Sequence, residues 1–413
     1  MTMTIPLGDD GFRAGASAVG RRKFLAGAAA LVATATQGGR AAQPPANKYR
    51  AAVIGHTGRG DYGHGLDKVW LEIPDVEIVA VADANEPGLA AAVKRLGAPR
   101  GFSDYRRMLD ELRPDLVSIC PRWLDQHRDM VVAAAERGVR GIYLEKPLCR
   151  TLAEADEMIT ACEQHQVKLA IAHQTRYSQK LPVVWDLIKS GQLGAILELR
   201  VRGKEDRRGG GEDLWVLGTH VLNLVNHFGG APTWCAGSVY QQGRPLRRED
   251  VQEGAEGIGP LAGDNVHALY RLAGGAVASF DSVRDAAGQP SRFGLQIFGS
   301  KGLVQMFDTG HLPDLGYLPD SSWTAGKNKQ AWIPISSAGV GQPEPLENRK
   351  LEGGNVLAVK DLLAAIAEDR QPQASIYEAR TATEMIVAVF ESQRLGGSVT
   401  FPLANRQNPL ALL

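Results

Sequence analysis

A lysine at the end of an apolar run, a glycine-rich turn and an acid one strand further on are the residues of this chain best placed to do chemistry together. Lys146 stands in Glu145-Lys146-Pro147, directly after the run Gly141-Ile142-Tyr143-Leu144. Open α/β sheets bind ligands at the carboxyl ends of their strands, and a lysine is seldom buried there without purpose. Partly desolvated, its amine would titrate low and could give a proton to a substrate hydroxyl or take one. A solvated loop lysine is the plainer alternative. Upstream, Tyr49-Arg50-Ala51-Ala52-Val53-Ile54 leads into Gly55-His56-Thr57-Gly58-Arg59-Gly60-Asp61-Tyr62-Gly63. A loop of this kind between a strand and a helix lets backbone N–H groups approach a pyrophosphate, and the helix N-terminus favours its charge. The G-x-G-x-x-G spacing is imperfect. Gly55 and Gly60 fit, but Thr57 holds the second glycine's place, so Gly58 in a shifted turn or the Thr57 hydroxyl must serve instead.

The next run, Val76–Ala82, ends at Asp83. That is close to the ~20 residues expected between such a loop and the acid that binds the adenosine ribose diol. A carboxylate there repels a 2′-phosphate, and Ala84-Asn85-Glu86 supplies no Arg to hold one. NAD is therefore preferred to NADP. Asp83 could also cap a helix, and the two roles are compatible.

These residues need a parallel sheet to position them. Apolar runs at 116–120, 141–144 and 167–172 alternate with helical patterns around 130–138 and 152–165. Alternation with short links argues for a doubly wound parallel sheet. Beyond His173 the pattern changes. A helix at 181–189 precedes a strand at 195–201, whose alternation marks a half-buried antiparallel strand. Further strands are expected at 266–272, 276–282, 293–298 and 303–307, a helix at 215–228, and closing helices at 355–368 and 377–395. The Ser/Gly/Pro-rich stretch 320–352, with Trp323 and Trp332, reads as a long loop that could cover the site.

Composition narrows the classes. The chain has 413 residues with 46 Lys+Arg, 46 Asp+Glu and a formal net charge of zero. No basic stripe marks a nucleic-acid binder, and hydrophobic residues at 44% exclude whole-chain disorder. Four cysteines, none spaced C-x-x-C, give neither a disulfide scaffold nor a structural zinc site; no metal is expected. Residues 20–25 read Gly-Arg-Arg-Lys-Phe-Leu, followed by a short apolar run and the Pro44-Pro45 linker. This resembles a twin-arginine export signal and is well short of the ~20 apolar residues of a membrane span. The expected organisation is a signal and linker over 1–48, a dinucleotide-binding domain over 49–173 and a substrate and oligomerisation domain over 174–413, in a periplasmic protein.

Taken together, these motifs resemble the Gfo/Idh/MocA family of oxidoreductases over about residues 49–403. The carriers are the Gly55–Gly60 loop, Phe102-Ser103-Asp104-Tyr105, Pro121 with His127, Glu145-Lys146-Pro147 and Arg176-Tyr177. Further along are Gly191-Gln192-Leu193-Gly194, Gly218-Thr219-His220, Gly299-Ser300-Lys301-Gly302 and the closing Gly396-Gly397-Ser398-Val399-Thr400-Phe401-Pro402. The resemblance implies a Rossmann domain joined to an α/β domain with a large open, mostly antiparallel sheet. It also implies hydride transfer between a sugar or cyclitol CH–OH and NAD. Nucleotide contacts are implied at Gly55, Thr57, Gly58, Arg59, Gly60, Asp83, Pro121, Glu145 and Lys146. Lys146 and His220 are implied as catalytic, with His173, Arg176, Tyr177, Asp213 and Asn223 near the substrate. The family commonly places an Asp four residues before the His, on the same helix face. Here Val216 holds that place and Asn223 stands where an Asp is usual after the His; Asp213, two turns away, could partly compensate.

Export bears on the chemistry, because a periplasm offers no free NAD pool to an exchanging dehydrogenase. Three readings remain open: tightly bound NAD recycled by a second substrate, a redox-neutral glycosidase or lyase working by transient sugar oxidation, and a sugar-binding relative without chemistry. A homo-oligomer is expected, and neither a nucleic-acid partner nor a membrane span is.

Overall fold

The computed structural model describes residues 48–347 and 351–413. The expected export signal lies outside them. The first sheet has six parallel strands: β1 (Tyr49–Ile54), β2 (Val76–Ala82), β3 (Gly101–Phe102), β4 (Leu116–Ile119), β5 (Gly141–Leu144) and β6 (Lys168–Ile171). Their order is β3-β2-β1-β4-β5-β6, with every pairing parallel. Strand order therefore reverses between β1 and β4, and a crevice opens there at the carboxyl ends. The strands read as unbroken apolar runs because both faces are covered: all four residues of β4 and all four of β5 are buried.

Helices α1 (Glu86–Leu96), α2 (Tyr105–Leu112), α3 (His127–Glu136) and α4 (Leu152–Gln164) cover this sheet. Their starts follow from capping. The Asn85 side chain accepts from Gly88 N, Asp104 from Arg106 N and Thr151 from Glu154 N.

After α5 (Leu181–Lys189) the chain forms a second, mixed sheet that contains β7 (Ile196–Arg202) and, following α6 (Gly211–Val216) and α7 (Gly218–Gly229), β8 (Pro232–Gln241). Its path runs Gly339–Val340, Ile333–Ser336, Asp314–Leu318, Leu303–Phe307, Gly294–Gly299, β7, Val277–Val283, Asn265–Leu272, β8 and Val399–Thr400. Most pairings are antiparallel. β7, read from its alternation as antiparallel, is so only toward Gly294–Gly299; toward Val277–Val283 it is parallel. Alternation reports which face is buried, not the direction of the neighbour. The expected long loop over 320–352 is also corrected in part: Ile333–Ser336 pairs with Asp314–Leu318 and continues the sheet.

One face of this sheet is buried by α7 and by α9 (Ile376–Leu395), which follows α8 (Leu351–Glu368). Along Asn265–Leu272, Val266, Ala268, Tyr270 and Leu272 are buried while His267, Leu269 and Arg271 face out. Ala358, Val359 and Leu362 of α8 join the core of the first sheet instead. Among the described residues no helix is long and apolar enough to cross a membrane.

Candidate active site

Lys146 leaves the tip of β5 and is 5% exposed. Its Nζ donates to the backbone oxygen of Val216 at 3.2 Å. The local chain geometry makes that oxygen available. The single helix expected over 215–228 is two helices, α6 and α7, broken at Leu217 (φ −115°, ψ −36°). Because His220 N donates to Leu217 O at 3.1 Å, the Val216 carbonyl has no helical partner and takes the ammonium. Where the family resemblance implies an Asp four residues before His220, this chain offers the buried apolar side chain of Val216 and its main-chain acceptor.

Burial lowers the Lys146 pKa, with the neighbouring Glu145 carboxylate opposing the shift. Glu145 is fully buried. It accepts from His64 N at 3.0 Å and lies 3.0 Å from His64 Nδ1. Burial works against its charge, but the His64 bonds and Lys146 outweigh it and hold the carboxyl below its usual range. The approach requires Gly63, which has φ +59° and whose Cβ would lie 2.4 Å from Glu145 Oε2.

Behind Lys146 sits a pair of imidazoles. The rings of His173 and His220 are T-shaped with centroids 5.4 Å apart, and His173 Nε2 is 3.0 Å from Thr219 Oγ1. Burial, then the charges of Lys146 and Arg176, push His173 down to about 3. Burial, Lys146 and His173 push His220 well below its ordinary value. Burial thus favours the neutral form of both rings. Their Nδ1 atoms are buried without a hydrogen-bond partner, as are both polar atoms of Asn223 one turn along α7. Unmet capacity of this kind is rare in a protein interior and fits a polyhydroxylated ligand.

The other expected substrate residues are placed differently. Asp213 Oδ2 accepts from Ser282 Oγ at 2.5 Å and Glu205 N at 3.0 Å, so that oxygen is engaged with the second sheet and not with His220. Arg176 Nη2 donates to Gln373 O at 2.9 Å, and Tyr177 Oη accepts from Ala374 N at 3.2 Å. Both fasten the link between α8 and α9, although Arg176 Nε and Nη1 are buried without partners. Two contributors were missed. His64 lies in a glycine-rich stretch that could have been scanned for it. Asn355 of α8 carries no local signal, yet its Oδ1 accepts from Tyr143 Oη (2.7 Å) and Gln174 Nε2 (3.0 Å), and its Nδ2 donates to His64 O (3.0 Å).

At the nucleotide end the expected α-helix after the glycine loop is absent. The segment runs through turns to a short 3-10 helix at Val69–Glu72. Gly58, Gly60, Asp61, Gly63 and Gly65 all have positive φ, and a chain that keeps returning to the left-handed region cannot propagate a right-handed helix. Asp83 is 2% exposed and turned into this loop. Thr57 N reaches both its oxygens at 3.1 Å, Thr57 Oγ1 donates at 2.6 Å, Tyr62 Oη at 2.9 Å and Asn85 N at 2.9 Å.

Arg59 pairs with Asp125 and stacks 4.8 Å over Trp123. His127 lies between the ends of β4 and β5, with Nε2 2.7 Å from Pro121 O and Nδ1 3.0 Å from Pro147 O. A cavity of about 360 Å³ opens at the sheet tips beside Gly55, Asp83, Ser103, Asp104 and Gln126. A larger cleft of about 450 Å³ by Arg128, Glu157 and Asn408 is walled by paired ions and is lined by none of the site residues expected from the sequence. The cavity at the tips, the open space above Gly58 and the nearby carboxylate fit the adenosine end of a dinucleotide.

Two domain models match the sequence in succession: an oxidoreductase family with an NAD-binding Rossmann fold over residues 49–173, and the GFO/IDH/MocA C-terminal domain over 183–305. The chain belongs to the Gfo/Idh/MocA family. Within it, the chain is 27% identical to levoglucosan dehydrogenase of Pseudarthrobacter phenanthrenivorans, over 54% of this chain and 63% of that protein. It is 30% identical to D-apiose dehydrogenase of Paraburkholderia graminis, over 52% of this chain and 59% of that one. The matched stretch thus spans about three-fifths of either relative. The fold is shared with a solved levoglucosan dehydrogenase in complex with NADH and L-sorbose, at TM-score 0.70 and 22% identity, over 86% of this chain and 99% of that one.

Proposed function

We propose that this family member is an NAD-dependent oxidoreductase acting on a CH–OH group of a neutral sugar or cyclitol, exported by the twin-arginine route with its nucleotide already bound. The observation that carries the chemistry is Lys146, buried at the carboxyl edge of the parallel sheet and facing two neutral histidines with unmet hydrogen-bonding capacity. NAD, when bound, supplies the hydride acceptor. The residues that would hold it are the Gly55–Gly60 loop, Asp83 and the β4 and β5 tips at Pro121 and Glu145.

Lys146 Nζ binds the reacting hydroxyl and takes its proton. Burial favours the neutral amine needed for this step. His220 and His173 do not hold the proton. Among the described residues no carboxylate offsets the burial of His220, so an imidazolium there is disfavoured. Their free nitrogens and the Asn223 amide instead orient neighbouring hydroxyls. Arg176 Nε and Nη1 and Asp213 Oδ1 are also buried without partners, so the reading of a neutral ligand rests on the unpartnered imidazoles and the Asn223 amide. The paired Arg21-Arg22 and the following apolar run support export.

The test uses protein recovered from the periplasmic fraction. Bound nucleotide is measured by absorbance, and neutral sugars and cyclitols are added without further cofactor. Reduction of the bound nucleotide is expected, with Lys146→Met slowing it roughly 10²–10⁴-fold, the usual worth of a general base. Absence of the protein from that fraction would sink the export reading. Protein that neither carries nor binds NAD would sink the oxidoreductase reading, and release of an aryl aglycone without net reduction would redirect it to redox-neutral chemistry.

A further inference from the structure

An ionised carboxylate offers about four lone-pair sites. Asp83 already receives five short contacts from within the chain, two of them from the shared N–H of Thr57. Two ribose hydroxyls could join only if a present donor leaves. The donors differ in how firmly they are built in. Asn85 N lies two residues along the same turn, and Thr57 is bound through both its main chain and its hydroxyl. Tyr62 reaches Asp83 from across the glycine loop through a single phenol O–H.

The Tyr62 ring also lies on the glycine that opens the loop: a Cβ at Gly55 would meet Tyr62 Cε1 at 2.2 Å. The Arg95 guanidinium stacks 4.7 Å over the same ring and is itself held by Asp67. Burial and the bond to Asp83 raise the phenol pKa, so Tyr62 remains a donor.

We propose that Tyr62 competes with the adenosine ribose for Asp83, and thereby sets nucleotide affinity and the margin between NAD and NADP. This rests on the proposed use of NAD. A ribose hydroxyl replaces the phenol like for like, donating O–H to the same carboxylate. A 2′-phosphate has no hydroxyl proton to give at that position and meets the charge of Asp83 whether or not Tyr62 is there. Removing the phenol oxygen therefore helps NAD, with two hydroxyls to give, more than NADP, which keeps only its 3′-hydroxyl.

The experiment compares the full chain with Tyr62→Phe after removal of bound nucleotide, titrating NAD and NADP calorimetrically. A gain of roughly three- to tenfold in NAD affinity is expected, the worth of one net hydrogen bond, with a clearly smaller gain for NADP. Thermal melting of the two nucleotide-free proteins establishes that both are folded. Unchanged or weakened NAD binding would overturn the proposal. An equal gain for both nucleotides would also overturn it, because relief of crowding over Gly55 would then be the cause. If neither protein binds NAD, the underlying use of NAD falls and this proposal with it; if both bind equally, only the competition falls.

Discussion

Around Lys146, four buried polar atoms of His173, His220 and Asn223 have no partner; at Asp83, a short distance along the same sheet edge, every acceptor position is taken. The first arrangement is poor for stability and good for binding. Each lone polar atom is desolvated in advance, so a hydroxyl that reaches it gains a hydrogen bond without stripping water from the protein. The second arrangement holds a strained glycine loop in place and must release something before it can take a ligand. One sheet edge thus carries a half whose buried polar atoms lack partners and a half whose carboxylate is already filled.

The comparison breaks most visibly at Asp83. Replacement by Ala leaves Thr57 N, Tyr62 Oη and Asn85 N without their acceptor; Asn85 is exposed and the other two half-buried, so water offsets part of the roughly 1–3 kcal/mol that each would cost if buried. A loss on the order of 3 kcal/mol in urea unfolding is expected; a loss below about 1 kcal/mol would mean that the acid does not hold the loop. Acid should sharpen the comparison from the other side. His173 and His227 are held down to about 3 by burial first, then by nearby positive charge. Unfolded histidines titrate near 6.5. Below that pH the unfolded chain binds protons that the folded one refuses, so stability is full above about 6.5 and falls as pH drops toward 3. The slope is at most about 1.4 kcal/mol per pH unit for each histidine, and His173→Gln should remove one histidine's share of the drop in urea midpoint between pH 7 and pH 5. The smallest effect is expected at Asn223. Replacement by Leu deletes two partnerless polar atoms, so stability should hold or rise by about 1 kcal/mol while the KM for sugar increases. A clear loss of stability would show that the amide is satisfied in the folded protein.

Much of this was legible in the residues. Five of the six parallel strands were visible because runs such as β1, β4 and β5 are short, apolar and bounded by Gly, Pro or charge, and Lys146 could be found because it ends one of them; β3, two residues long, has too little pattern to be read. His220 was marked by Gly218-Thr219-His220. The break at Leu217 was not legible: only Gly218 hints at it, and a glycine within a helical pattern is tolerated often enough to be passed over. The missing helix after Gly55 had a signal, four glycines within the stretch 58–65, but the dinucleotide motif uses glycines too, and only their left-handed backbone angles tell the cases apart. β8 begins at a proline and contains a glycine, two features that weaken a strand reading. Asn355 could not be found locally at all, because its partners Tyr143 and His64 lie more than two hundred residues away.

That last contact bears on how the molecule comes into being. Synthesis runs from the amino end, so the glycine loop and the lysine strand leave the ribosome long before α8. Until that helix arrives, the slot for Ala358, Val359 and Leu362 stands open to water and His64 lacks its anchor on Asn355. The nucleotide half is therefore completed by a helix that is translated more than two hundred residues after the lysine strand, and the binding edge is finished only once α8 has emerged.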